Sequence, residues 1–270
     1  LKVLGSRIPI VAKIEKPEAL ERLDEILEAA DGVMVARGDL GVELALTRVP
    51  GAQKTIIERA RMRGKFVITA TQMLESMVER PTPTRAEVND VANAIFDGTD
   101  AVMLSAETAS GQYPLEAVRM MAAIACEAES YLGHRAFPEP PLGATPAHPE
   151  IIAEAAYHAG LSANVKAIAV FTAGGEMARL IARFRPRVPI FAFCETVTAS
   201  RELSVIYGAH PVVPVKVSSV EDMMDVCNQK MLSEGWAAAG DGVILVTGGA
   251  NIIKLHHVGD TGMRIAKGSS

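Results

Sequence analysis

"DGVMVARGDLGVE", residues 31–43, carries a short apolar run, Val33 to Ala36, that breaks into Arg37-Gly38-Asp39 and turns on a second glycine, Gly41. A β-branched run bounded by glycine predicts a buried strand. Charged groups beside a glycine at its end predict a wall that a ligand can approach, because glycine leaves the backbone bare. This stretch is expected to form one side of a phosphate and carboxylate site.

Working outward, the same plan recurs. "IPIVAKIE" (8–15), "GVMVARGD" (32–39), "KFVITATQ" (65–72) and "DAVMLSAE" (100–107) read as strands, each followed by a helix-period segment such as "PEALERLDEILEAA" or "TRVPGAQKTIIERARMR". Strands alternating with helices at roughly thirty residues per unit indicate parallel βα repeats. "SAETASGQYPLEAVRMMAAIACEAES" reads as a helix with an apolar stripe, entered through Pro114. The proline-rich "HRAFPEPPLGATPAHPE" (134–150) breaks the pattern and reads as a linker. A second α/β module follows, with a helix at "PEIIAEAAYHAGLSA" and strands at 167–173, 189–194, 211–217, 242–248 and 252–258. The domain division expected is therefore 1–136, a linker over 137–150, and 151–270.

In parallel α/β folds the carboxyl ends of the strands carry the chemistry. Lys13 and Glu15 lie two apart on a strand and so project to one side; Arg37 and Asp39 are expected to repeat this. Thr71 with Gln72, and Ser105 with Glu107, close the next two strands. Each feature alone has a plain structural explanation: a solvated Lys-x-Glu pair, turn chemistry, or helix N-caps at Thr71 and Ser105. Four consecutive strands ending this way favour a site. Glu15 and Asp39 are hard oxygen donors suited to Mg²⁺, and a neighbouring lysine can stabilise charge on a transferred phosphoryl group or an enolate oxygen. Gly38 is expected to leave backbone amides facing an anion.

Bulk properties narrow the classes. With 270 residues, 49% of them hydrophobic, the chain has material for one large domain or two ordinary ones. A net charge of −5 argues against a nucleic-acid-binding surface, so a phosphate must be gripped locally. No apolar run reaches the roughly 18 residues of a membrane span, so no membrane is expected. Cys126, Cys194 and Cys227 are too few and too scattered for a disulfide framework or a zinc site, which suits a reducing cytoplasm. His256 and His257 are adjacent in a strand, point to opposite faces and cannot share a metal. The first residue is Leu, so the sequence is expected to begin inside a longer gene product.

"AKIEKPEAL", "DGVMVARGDLGVE", "VITATQMLESM" and the long string from Arg80 to Met121 closely resemble pyruvate kinase, and "ARLIARFRPRVPI" resembles that family's C-terminal domain. The resemblance implies an α/β fold: the second half of a (β/α)8 TIM barrel, its last four βα units, followed by a smaller α/β C-terminal domain. It implies Mg²⁺-dependent phosphoryl transfer from phosphoenolpyruvate to ADP, giving pyruvate and ATP at the last step of glycolysis, usually with K⁺. By the same resemblance Lys13 and Thr71 are catalytic, Gly38, Asp39 and Thr71 hold substrate, and Glu15 and Asp39 bind the metal. Arg37, Gln72, Ser105 and Glu107 form an outer layer, and a cytoplasmic homotetramer is implied.

Departures from the family matter too. The early strands, the potassium ligands and the nucleotide-binding arginines have no counterpart, so activity is expected to need a complementing N-terminal half. An isolated half-barrel is expected to leave two open edges and an uncovered inner face. "TAGGEMARL" (172–180) carries Gly174, Gly175 and Glu176 where sugar-phosphate-regulated members have hydroxyls, which disfavours a fructose-bisphosphate-type effector at that loop. "VTGGANIIKLHHVG" (246–259) is shorter than the family's glycine-rich loop. A non-catalytic assembly module and another Mg²⁺-dependent phosphoenolpyruvate or pyruvate barrel enzyme stay open as rival readings.

Overall fold

The computed structural model describes residues 8–132, 137–142, 146–162, 164–212, 216–249 and 252–260. It divides into two compact units, one ending at Pro141 and the other beginning at Leu142. The division falls inside the segment 137–150, of which 143–145 lie outside the described residues. Within that segment the Phe137 ring lies under the Arg61 guanidinium, 5.4 Å from its carbon, and Arg61 Nη2 donates to the Pro138 carbonyl (2.9 Å).

In the first unit, β1 (Val11–Ile14), β2 (Gly32–Ala36), β3 (Phe66–Ala70) and β4 (Ala101–Met103) form a parallel sheet in sequential order. The connections are α1 (Pro17–Glu21) and α2 (Leu23–Ala29), then α3 (Arg37–Glu43) and α4 (Val49–Met62), then α5 (Arg85–Phe96). After β4 come α6 (Ala106–Ala109) and α7 (Pro114–Leu132). Parallel neighbours in chain order, joined by helices, are how a βα barrel is wound.

Alternation along the strands decides which face is which. Ile14, Val33, Val35 and Val67 are fully buried against Leu23, Leu27, Ile56, Ile57 and Ala60 of the helices. Lys13, Met34 and Ile68, paired across β1, β2 and β3, point to the other face and are only partly covered. That face carries Lys13, one of the candidate site residues. It is as open as the sequence leads one to expect, and among the described residues β1 and β4 are sheet edges.

Three expectations are corrected here. The helix read over 17–30 is broken at Arg22, between α1 and α2. The strand read to Asp39 stops at Ala36, and Arg37–Glu43 turns helical. The fourth strand stops at Met103, so Glu107 lies in the first turn of α6 rather than on a strand. The long helix does begin at Pro114, as read. Between α6 and α7, Gly111 passes so close to the Glu107 backbone that a Cβ would lie 2.6 Å from its carbonyl oxygen. Only glycine can make that approach.

In the second unit, β5 (Val165–Thr172), β6 (Ile190–Cys194), β7 (Ala209–Val212), β8 (Gly242–Thr247) and β9 (Ile252–His257) form one sheet in the order β7-β6-β5-β8-β9. All pairs are parallel except β8 with β9. The strand read over 211–217 is displaced, and 213–215 lie outside the described residues. Helices α8 (His148–Gly160), α9 (Glu176–Ala182), α10 (Val197–Leu203) and α11 (Val220–Ser233) complete the unit. Every residue of β6 and β8 is buried, as expected of central strands covered on both faces.

The order reverses at β5, a topological switch point where open α/β sheets place ligands. There a cavity of about 400 Å³ is lined by Thr172, Gly174, Thr247 and Gly248, with Glu176 and Glu195 as its carboxylates. His256 and His257 do point apart: His256 is buried against Asn228 (2.7 Å), whereas His257 is exposed. Among the described residues no helix is long and apolar enough to cross a membrane.

Helix α5 opens on a capping box that pins the preceding loop. The Glu87 carboxylate accepts from Ser76 N (2.7 Å), Ser76 Oγ (2.6 Å), Thr84 N (2.7 Å) and Thr84 Oγ1 (2.8 Å). Burial alone would raise its pKa, but these donors outweigh it and hold the carboxyl below its ordinary 4.5. A depressed folded-state pKa stabilises the fold above the unfolded value, and this is lost as pH falls through the folded value. Glu87→Gln is expected to lower urea-denaturation stability by about 1 kcal/mol at neutral pH. The gap should narrow below pH 4.5; a gap independent of pH would contradict the assignment.

Candidate active site at the strand ends

The side chain of Lys13 leaves the open face of β1 one residue before the strand ends. Its ammonium lies 2.9 Å from Glu15 Oε2 and 3.2 Å from Asp39 Oδ2. Glu15 comes from the residue after β1, and Asp39 from the first turn of α3. Hydrogen bonds to Glu15, then to Asp39, and the two negative charges raise the lysine pKa, so it stays protonated. All three groups are open to solvent, where ion pairs contribute little to stability. Two carboxylates converging on one cation, with room for water, form a donor set that a hard divalent ion accepts.

Arg37 and Asp39 do not repeat the Lys13–Glu15 arrangement, which corrects the expectation. Because the chain is helical from Arg37, residues two apart face nearly opposite ways. Asp39 faces Lys13, whereas Arg37 turns inward and is 7% exposed. Arg37 Nε donates to the carbonyls of Ala70 (3.3 Å) and Thr71 (3.2 Å), and Nη2 to those of Thr71 (2.6 Å) and Gln72 (3.1 Å). Its Nη1 meets Asp90 Oδ2 (2.6 Å) and Gln53 Oε1 (3.4 Å).

Thr71 caps no helix. Its hydroxyl accepts from the Gly38 amide (2.8 Å) and donates to the Ala70 carbonyl (2.7 Å). The Gly38 amide is thus engaged by Thr71, so any anion contact at this turn falls to the amides that follow it. A Cβ at Gly38 would meet only Thr71, at 3.4 Å or more, so the protein itself does not demand glycine there.

Ser105 precedes α6 without a side-chain cap. Glu107 is fully buried and accepts from Leu74 N (3.1 Å) and Ser105 N (2.7 Å). It supports the loop after Thr71 from beneath and does not join the Lys13 cluster. Sequence reasoning missed Gln53, Asp90 and Asp97. Gln53 bridges Arg37 to Asp97 (2.9 Å), and Lys54 pairs with Asp97 as well. Nothing local in helix-face amides and acids marks them; only the fold brings them to Arg37.

Parallel βα units with acid and amine gathered at their strand ends, followed by a doubly wound α/β module, define a barrel protein of the kind whose ligand chemistry sits on that rim. Residues 1–118 match the pyruvate kinase barrel domain, and residues 150–258 match the pyruvate kinase alpha/beta domain. The chain belongs to the pyruvate kinase family. It is 44% identical over 269 residues to the pyruvate kinase of Geobacillus stearothermophilus, covering 97% of this chain and 45% of that one. With the pyruvate kinase of Mycobacterium tuberculosis it shares 41% identity over 265 residues, covering 95% of this chain and 55% of the other. A crystal structure of a pyruvate kinase from Cryptosporidium parvum superposes with a TM-score of 0.85 at 37% identity, covering 94% of this chain and 52% of that one. The chain spans about half the length of the curated relatives it matches.

Thr71 (φ 66°) and Gln72 (φ 53°) both occupy the left-handed region, which costs a non-glycine residue roughly 1 kcal/mol or more. The Gln72 side chain is exposed and its backbone carbonyl makes the contact to Arg37. Gln72→Gly is therefore expected to leave urea-denaturation stability unchanged or raise it by about 1 kcal/mol. A loss of similar size would show that the side chain, not the backbone, holds the turn.

Proposed function

We propose that this chain carries half of a pyruvate kinase active site, for Mg²⁺-dependent phosphoryl transfer from phosphoenolpyruvate to ADP. The observation that carries the reading is the Lys13 ammonium set between the carboxylates of Glu15 and Asp39 at neighbouring strand ends. Glu15 and Asp39 would hold the Mg²⁺, which when bound supplies charge neutralisation for the phosphate and enolate oxygens. Asp39, Gly38 and Thr71 line the substrate's place.

In the reaction the bond from phosphorus to the enol oxygen breaks and one forms to a terminal oxygen of ADP. The enolate left behind gains a proton at carbon to become pyruvate. Lys13, kept protonated by its two acids, stabilises the negative charge that develops during transfer. The Thr71 hydroxyl stands beside Gly38, and its proton, now given to the Ala70 carbonyl, would turn to the substrate's carboxylate and enolate face. Gln72, Ser105 and Glu107 act behind this layer by fixing the loop. K⁺ belongs to the proposed reaction, but none of these residues is assigned to it.

A cytoplasmic homotetramer completes the proposal. Supporting assembly, Val42 and Leu46 beside the site are 84% and 75% exposed, a high degree for large apolar side chains.

The test is a coupled assay of ATP formation from ADP and phosphoenolpyruvate, run on the chain alone and with a complementing N-terminal half supplied. Turnover is expected in the complemented protein. Lys13→Met is expected to lower kcat by about 10²–10³-fold while phosphoenolpyruvate binding largely survives. Asp39→Asn should raise the Mg²⁺ concentration giving half-maximal rate by about tenfold or more. Unchanged turnover in Lys13→Met would remove Lys13 from its role, and carbon–carbon cleavage without phosphoryl transfer would defeat the kinase reading.

A further inference from the structure

Two consecutive non-glycine residues, Thr71 and Gln72, are held left-handed at the end of β3. Such a turn persists only where its surroundings over-determine it. The guanidinium of Arg37 is that constraint, since one rigid fork bonds three successive carbonyls, Ala70, Thr71 and Gln72. On its far side Asp90 from α5 and Gln53 from α4 fix the fork's own orientation. A lysine could keep the charge near Asp90, but a point charge cannot span three acceptors.

Arg37 also begins α3, the helical turn that presents Gly38 and Asp39. The segment that supplies the acid therefore also grips the turn that supplies the hydroxyl. We infer that Arg37 is a positioning residue that sets Thr71 relative to Asp39 by clamping the carbonyls of residues 70–72. Resting on the reaction proposed above, this gives it a residue that acts only through another: Arg37 touches no substrate, and its effect passes through Thr71.

Two readouts on the native polypeptide decide this, one of them independent of activity. The Gly38 amide, which donates to Thr71 Oγ1 at 2.8 Å, reports the position of the hydroxyl by hydrogen exchange. In Arg37→Lys its exchange is expected to quicken about tenfold or more while the β2 amides stay protected. In the kinase assay Arg37→Lys is expected to lower kcat about 10²-fold with KM for phosphoenolpyruvate within about threefold. Added to Thr71→Ala, it should cost no more than about threefold further, because the group it positions is already gone.

Unchanged Gly38 exchange, or losses in the double variant that simply multiply, would overturn the inference. If the unaltered protein forms no ATP, the proposed reaction falls, while the exchange measurement still decides whether Arg37 places Thr71. Should Arg37→Lys fail to fold, Asp90→Asn, at a partly exposed side chain, carries the same readouts. It is expected to shift both in the same direction by about threefold, and no shift in either would count against the inference.

Discussion

Parallel, in-register pairing of β1, β2 and β3 is the constraint on which the site depends. Lys13 pairs with Met34 and Met34 with Ile68, so the three strands end at nearly one level and their following residues emerge side by side. An ammonium from one strand then meets an acid from the next, and a hydroxyl from the third meets the Gly38 amide in the helical turn that follows the second. A one-residue slip would move every side chain to the opposite face, burying Lys13 in the helix layer where Ile14 now sits fully buried.

Behind the exposed cluster lies a second, buried layer with different physics. Lys13, Glu15 and Asp39 are wet and cost little to rearrange, which suits groups that exchange partners. Arg37 and Glu107 are dry and saturated with backbone partners, which suits groups that must not move. Glu107 fixes Leu74 and Arg37 fixes the carbonyls of 70–72, so the loop carrying Thr71 is tied at both ends.

Much of this was legible in the sequence. Short β-branched runs located eight of the nine described strands and misplaced the other, β7, and hard oxygen donors beside a lysine located the acidic cluster. What could not be read was where a strand stops. "VARGD" looks extended, because local pattern cannot register that Gly38 and Asp39 gain helical hydrogen bonds after Ala36; the roles of Arg37 and Asp39 part at that point. Likewise Gln53 and Asp90 are ordinary helix residues until packing of α4 and α5 carries them to one guanidinium. The Thr84-x-x-Glu87 signature of a capping box was present and went unused, as did the left-handed turn, which no glycine advertises.

The central claim is that the acids at the ends of β1 and β2 hold one divalent ion beside Lys13. Crystals soaked in Mn²⁺ with oxalate, an enolate mimic, test it directly through anomalous scattering. The expected result is a peak in direct coordination with Glu15 and Asp39 oxygens, with the Lys13 ammonium displaced toward the mimic. A peak at another carboxylate cluster, or none at this one with the ammonium still bridging both acids, would contradict the account.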